Sequence, residues 1–187
     1  MILKSNKVQI QGSVDGLCGI YSLVHYLEKL RVFPIGRSET RAKSAFSALL
    51  KSAEVLVSPV DNKPLLSAKR IAAGYYTDDL VEIFNATMMR KRLNYRASLL
   101  EAICEHEDGS STGEVVRSLI HDGASVVLQV RGEEHFVLAV AIDESGCISV
   151  RDSGHHANYR LEELKRPASE DGVVLAKVGT PAHKRMR

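Results

Sequence analysis

Hydrophobic positions change their rhythm well past the midpoint of the chain. In the first part they recur at helical intervals. Ile20, Leu23, Val24, Leu27 and Leu30 follow the i, i+3, i+4, i+7 spacing, which predicts an amphipathic helix from about Cys18 to Arg31. Pro34 and Gly36 then break the chain. Ser38 is placed to cap a second helix with Ala42, Ala45, Phe46, Leu49 and Leu50 on one face. "SPVDNKP" reads as a loop, with a short helical run through Ile71 after it. Thr77 is expected to cap the next helix, which has Asp78 and Asp79 in its first turn and "MMRKR" at its end, matching the helix dipole. Tyr95 to Glu105 also reads as helix. Ser111 and Glu114 form a capping box ahead of "VVRSLI", and Gly123 is a natural stop.

From Ala124 onward the pattern is different. "ASVVLQV", "HFVLAVAI", "CISVRD" and "GVVLAKVG" are short runs rich in β-branched residues, separated by "RGEE", "DESG" and a longer connection. They read as a meander of four antiparallel strands. "RLEELKR" in the last connection suggests one or two helical turns. Helices first and strands afterwards predict an α+β domain with the helices on one side of the sheet.

The 187 residues suit one domain with a sizeable core, taken here as 1–180 with a basic tail at 181–187. A hydrophobic share of 44% and a charged share of 26% are those of an ordinary soluble globular protein. The net charge of +2 argues for neither nucleic acid nor a membrane. The basic runs at Arg90–Arg92 and in "HKRMR" carry no aromatic platform for bases, so no nucleic-acid partner is expected. No run approaches the ~18 apolar residues of a membrane span, and the N-terminal residues lack the apolar core of a secretory signal. Three widely spaced cysteines suggest reduced thiols in the cytoplasm, with export lacking a cleaved signal left open.

One of those cysteines stands apart. Cys18 sits between glycines in "DGLCGIYSLVHYL", at the mouth of the first helix, where unsatisfied N–H groups favour a thiolate. A helix terminus contributes only roughly 0.3–2 kcal/mol, so a strongly activated thiol needs a cationic histidine as well. His25 is about 10 Å further along the same helix, too far for a hydrogen bond. His106 falls in a polar loop, His121 in a last helical turn and His183 in the tail, all with structural or solvated roles. His135 opens the strand "HFVLAVAI" at the sheet edge, and Asp152 closes the next, "CISVRD". A turn centred near Ser145 pairs Asp152 across from about Val137, diagonal to His135 on one face. The carboxylate would then orient the imidazole, as in a nucleophile–base–orienter triad.

With these features the chain resembles the papain-like cysteine peptidase superfamily, and within it the leader peptidases of bacteriocin exporters (the C39-like group) and their stand-alone relatives. "DGLCGIYSLVHYL", "HDGASVVLQV", "HFVLAVAID", "ISVRDSG" and "YRLEELKR" carry the likeness over about residues 8–45 and 112–180; the segment 46–111 has no counterpart in it. The resemblance implies a papain-like fold of N-terminal helices on a C-terminal antiparallel sheet of about four strands. It implies Cys18 as nucleophile, His135 as general base and acid, and Asp152 as orienting residue. It also implies a glutamine ahead of the cysteine that donates to the oxyanion. Gln11 fits, although it lies one residue further from Cys18 than the family spacing, so Gln9 or a backbone donor from "SVDG" stays in play. "DGLC" is similar to the D-G-x-C of ovarian-tumour-type deubiquitinases, but the residues after Cys18 and the His–strand–Asp order fit the first group better.

The expected activity is a thiol hydrolase acting on a peptide, isopeptide or amide bond of a protein or peptide substrate, with no cofactor and no metal. Acyl transfer or deamidation by the same triad, and a catalytically idle binding module, are the alternatives. A zinc site from Asp152, His155 and His156 lacks a further ligand pair. Cys104, among Leu99, Leu100 and Ile103, reads as a core thiol, and Cys147 as strand packing. The segment 46–111 is the natural place for substrate selection. Oligomeric state is left open.

Overall fold

A computed structural model describes residues 17–31, 38–105, 110–130, 135–145, 147–151, 158–160 and 172–186. Helix α1 runs over Cys18–Leu30 and ends where Arg31 turns left-handed. Helix α2 spans Ser38–Ala53 and α3 Ala68–Ala73. Helix α4 spans Thr77–Lys91. Strand β1 (Tyr95–Leu99) leads directly into α5 (Leu100–Cys104), and α6 covers Thr112–His121. Strands β2 (Ser125–Val130), β3 (His135–Ile142), β4 (Cys147–Arg151), β5 (Asn158–Arg160) and β6 (Gly172–Lys177) follow, then α7 (Pro181–Arg185). No helix among the described residues is long and apolar enough to cross a membrane.

The expected α+β architecture holds, and the local signals around α6 behave as read, while "RLEELKR" lies outside the described residues apart from Arg160. Ser111 Oγ accepts the Glu114 N–H while the Glu114 carboxylate accepts the Ser111 N–H, and Gly123 takes a φ of +89° to end the turn after α6. One cap differs. Thr77 is the first helical residue of α4, and the orphan N–H at its start, that of Tyr76, is accepted by Asp79 Oδ2 at 3.1 Å. The basic C-terminal residues are also folded rather than frayed. Ala182 and His183 are buried, and Arg185 reaches Ser118 and Asp122 of the α6 segment.

Strand pairing departs further from expectation. Among the described residues the sheet has six antiparallel strands in the order β1-β6-β2-β3-β4-β5, so the last strand inserts between β1 and β2 instead of completing a meander. Five consecutive buried residues of β6, Gly172 to Ala176, explain this. A strand apolar on both faces must be covered on both faces and flanked on both edges. The same reasoning corrects the placement of the helices. Val127, Leu138, Val173 and Leu175 pack with α1, α2 and α4, whereas Val126, Val137, Ala139 and Val174 pack with α5, α6 and α7 on the opposite face. Helices therefore lie on both sides of the sheet, not on one.

Tyr95–Glu105 is likewise only half helical. Its first five residues pair with β6, from Tyr95 opposite Lys177 to Leu99 opposite Val173. This pairing with a distant segment overrides the local helical pattern. The open edge of β1 is closed by a side chain. Asn85 on α4 donates to the Ala97 carbonyl at 3.1 Å and accepts the Ala97 N–H at 2.9 Å, mimicking a neighbouring strand. Asn85→Ala should lower stability by about 1–3 kcal/mol, seen as a shift of the urea midpoint at constant slope. An unchanged midpoint would mean the edge does not need that amide.

Candidate active site

The nucleophile candidate is placed by a close approach of two helices. Cys18 is the first residue of α1 and is 5% exposed. The N-cap residue is Leu17, whose side chain offers no oxygen to the first-turn N–H groups, so the positive end of the helix lies at the thiol. Gly19 follows because nothing larger fits. A Cβ there would come within 2.6 Å and 2.9 Å of the two methyl carbons of Leu80, a fully buried residue of α4.

Along α1 a polar stripe recurs about once per turn at Cys18, Ser22, His25 and Lys29, and it runs against the sheet. Ser22 Oγ donates to the Phe136 carbonyl at 3.2 Å, and Lys29 Nζ to Ser125 Oγ at 3.0 Å. Burial, and after it the charge of Arg151, pushes the Lys29 ammonium below its ordinary range. Helix α1 thus runs antiparallel to β2, with Cys18 at the end of the sheet where β3 begins. His25 is buried with Nδ1 3.7 Å from Glu28 and has a structural place in this stripe.

Cys18 lines a cleft of about 420 Å³ together with Ala73, Gly74, Tyr75, Tyr76, Thr77, Gln129 and Phe136. Two sides of the molecule meet there. Gln129 and Phe136 are cross-strand partners on β2 and β3. The other wall, 73–77, comes from the connection between α3 and α4, inside the segment for which the sequence suggested no counterpart. It is held by an ionic cluster. Arg70 contacts Asp61 at 2.6 Å and the fully buried Asp79 at 3.6 Å. Burial, and then the Asp79 carboxylate, pushes the Tyr75 phenol above its ordinary range.

His135, half-buried, is the first residue of β3, adjacent to Phe136 and opposite Val130. In strand alternation it shares parity with Val137 and Ala139, and Phe136 takes the face toward Cys18. The β3–β4 register ends at Leu138 opposite Arg151, the pair that precedes the expected Val137–Asp152 alignment. Asp152, Gln11, Gln9, His155, His156 and His106 lie outside the described residues. The other thiols, Cys104 and Cys147, are half-buried and reduced. His121 is exposed, and the buried His183 accepts the Gly179 N–H. Among the described residues no group of three or more His, Cys, Asp or Glu is placed to hold a metal.

Sequence reasoning did not single out Gln129, Phe136, Tyr75 or Tyr76 as cleft residues. The signal for Gln129 was present, as a lone amide in the otherwise apolar run "VVLQV". The two tyrosines adjoin Cys18 only in space.

Gly19→Ala should cost about 1–3 kcal/mol through overpacking. Adding Leu80→Ala should recover part of that cost, so a thermal-denaturation cycle should give a favourable coupling between the two sites. Strict additivity would mean that α1 and α4 do not press together at this point.

No family model and no curated protein sequence matches the chain. A structural match exists: the crystal structure of a Bacillus anthracis protein described as a "putative C39-like peptidase" superposes with a TM-score of 0.52, covering 91% of this chain and 93% of that one at 10% identity. At that identity the likeness speaks for architecture, and the chain has the α+β, papain-like fold.

Proposed function

We propose that the chain is a thiol hydrolase that opens a peptide, isopeptide or amide bond of a protein or peptide substrate, with Cys18 as nucleophile and His135 as its acid–base partner. One observation carries the reading. The Ser22 hydroxyl, one turn along α1 from the thiol, donates to the Phe136 carbonyl, so the start of α1 and the start of β3 lie side by side. His135 is the first residue of that strand, where its ring is not confined to the face that alternation gives the residues after it. Asp152, next after Arg151, would orient the imidazole, and the β3–β4 register up to Arg151 supports this assignment.

In this mechanism the Cys18 thiolate attacks the carbonyl carbon and forms a C–S bond, and the carbonyl π electrons move to oxygen. The Cys18 N–H and the Gln11 amide donate to that oxyanion. Collapse breaks the C–N bond while the His135 imidazolium gives its proton to the departing amine, leaving a thioester. His135 then removes a proton from water, which attacks the thioester carbonyl, releasing the acid and the thiolate. An amine in place of water would make the same site a transferase; a glutamine side chain as substrate would make it a deamidase.

Exposure and reactivity make opposite predictions for the three thiols. Cys104 and Cys147 are more exposed than Cys18, so access alone would have iodoacetamide label them first. An activated Cys18 should instead react roughly tenfold faster or more than either, and His135→Ala should remove that lead. Peptide mapping by mass spectrometry reads both effects. If Cys18 reacts last in the wild type, the catalytic reading fails and a binding module with this fold takes its place. Incubating a cell lysate with wild type, but not with Cys18→Ala, should generate new peptide termini or sever isopeptide links. Identical lysates would remove the peptidase assignment.

A further inference from the structure

The wall of the cleft opposite Phe136 is built more firmly than its exposure suggests. Tyr76 lines the cleft and leaves 47% of its surface open, yet it is held from two directions. The guanidinium carbon of Arg70 lies 4.8 Å from the centre of its ring, within cation–π range. Asp79 accepts the Tyr76 backbone N–H through Oδ2, and the same carboxylate oxygen faces Arg70 at 3.6 Å. Arg70 is itself buried and is bound from the far side by Asp61. One buried ion pair therefore fixes both the backbone and the ring of an exposed aromatic residue. Two residues earlier, Gly74 has φ +88° and ψ 177°, a conformation accessible in practice to glycine alone, which sets the path of the wall.

A ring held in this way has already lost the rotamer freedom that binding would otherwise take from it. Apart from the reacting sulfur of Cys18, the remaining side chains of the cleft that belong to described residues are those of Ala73, Tyr75, Thr77, Gln129 and Phe136, none of an ionisable acid or base that would be charged near neutral pH. A charged group entering between Tyr76 and Phe136 would lose water without gaining a counter-ion from these residues. A flat apolar group would gain two aromatic faces.

We propose that Arg70 and Asp79 are positioning residues that hold Tyr76 as a rigid aromatic wall, and that this wall selects substrates with an uncharged aromatic or apolar side chain close to the carbonyl attacked. As a statement about substrates this rests on Cys18 being the nucleophile; as a statement about what the cleft binds it does not.

A series of electrophiles separates the two. Iodoacetamide, N-benzyl-iodoacetamide and iodoacetylglycine deliver the same reactive carbon with no side chain, an aromatic ring or a carboxylate. Their rates at Cys18, each divided by the rate with glutathione, should rank benzyl first by roughly three- to tenfold over iodoacetamide, with the carboxylate last. Tyr76→Phe should keep the benzyl preference, since the ring and not the hydroxyl makes the wall, and Tyr76→Ala should abolish it, bringing the normalised benzyl and iodoacetamide rates together. Arg70→Lys keeps a positive charge between Asp61 and Asp79 but removes the flat guanidinium beneath the ring, and should reduce the preference while melting curves show a folded protein. Equal normalised rates for all three reagents in the wild type would overturn the proposal. So would a benzyl preference that survives Tyr76→Ala. A preference untouched in folded Arg70→Lys would overturn the positioning role. The hydrolase reading is judged by a different quantity, the iodoacetamide rate at Cys18 against those at Cys104 and Cys147, so either idea can fail while the other stands.

Discussion

A single buried hydrogen bond, from the Ser22 hydroxyl to the carbonyl of Phe136, brings two distant parts of the chain to the place where chemistry is possible. It spans 114 positions and joins the first helix to the strand whose first residue is His135. A buried hydroxyl left without an acceptor, or a carbonyl without a donor, costs about 1–3 kcal/mol, so the contact resists sliding of α1 along the sheet. The approach of Gly19 to Leu80 limits the same helix against a second element, α4. Between these two contacts the start of α1 has little freedom, and its thiol lines the cleft.

The cleft joins two parts of the sequence that read very differently. The Cys18 helix and the β2–β3 pair carry the features that made the family resemblance visible. The opposing wall comes from the α3–α4 connection and depends on Asp61, Arg70 and Asp79, charged residues that look like ordinary surface positions in one dimension. Arg70 is buried and Asp79 fully so. Burying such charges is tolerable only when they are paired and hydrogen-bonded, and their pairing gives the wall a defined shape.

What could be read in advance follows from the range of the interactions involved. The helix from Cys18, the capping box at Ser111 and the stop at Gly123 rest on neighbours within a few residues, and local patterning reveals them. β1 could not be read this way, because Tyr95 to Leu99 becomes a strand only where β6 is beside it. The interior place of β6, between β1 and β2, was in principle legible. Its unbroken apolar run, like those of β2 and β3, signals coverage on both faces, which a meander with helices on one side cannot supply. Of the cleft residues, Cys18 was legible as a residue type in a pattern. Gln129 left a trace as a lone amide in an apolar run, but Tyr76 left none, since only the fold makes it a neighbour of the thiol.

Whether Cys18 and the side chain at 135 meet across the cleft can be asked without any substrate. With Cys104 and Cys147 replaced by serine, His135→Cys leaves two thiols, and dibromobimane becomes fluorescent when both of its arms have alkylated thiols a few ångströms apart. The meeting predicts one intramolecular bridge between positions 18 and 135, with His121→Cys in the same background giving none. Separate single-arm adducts at 18 and 135, with no bridged peptide, would contradict it.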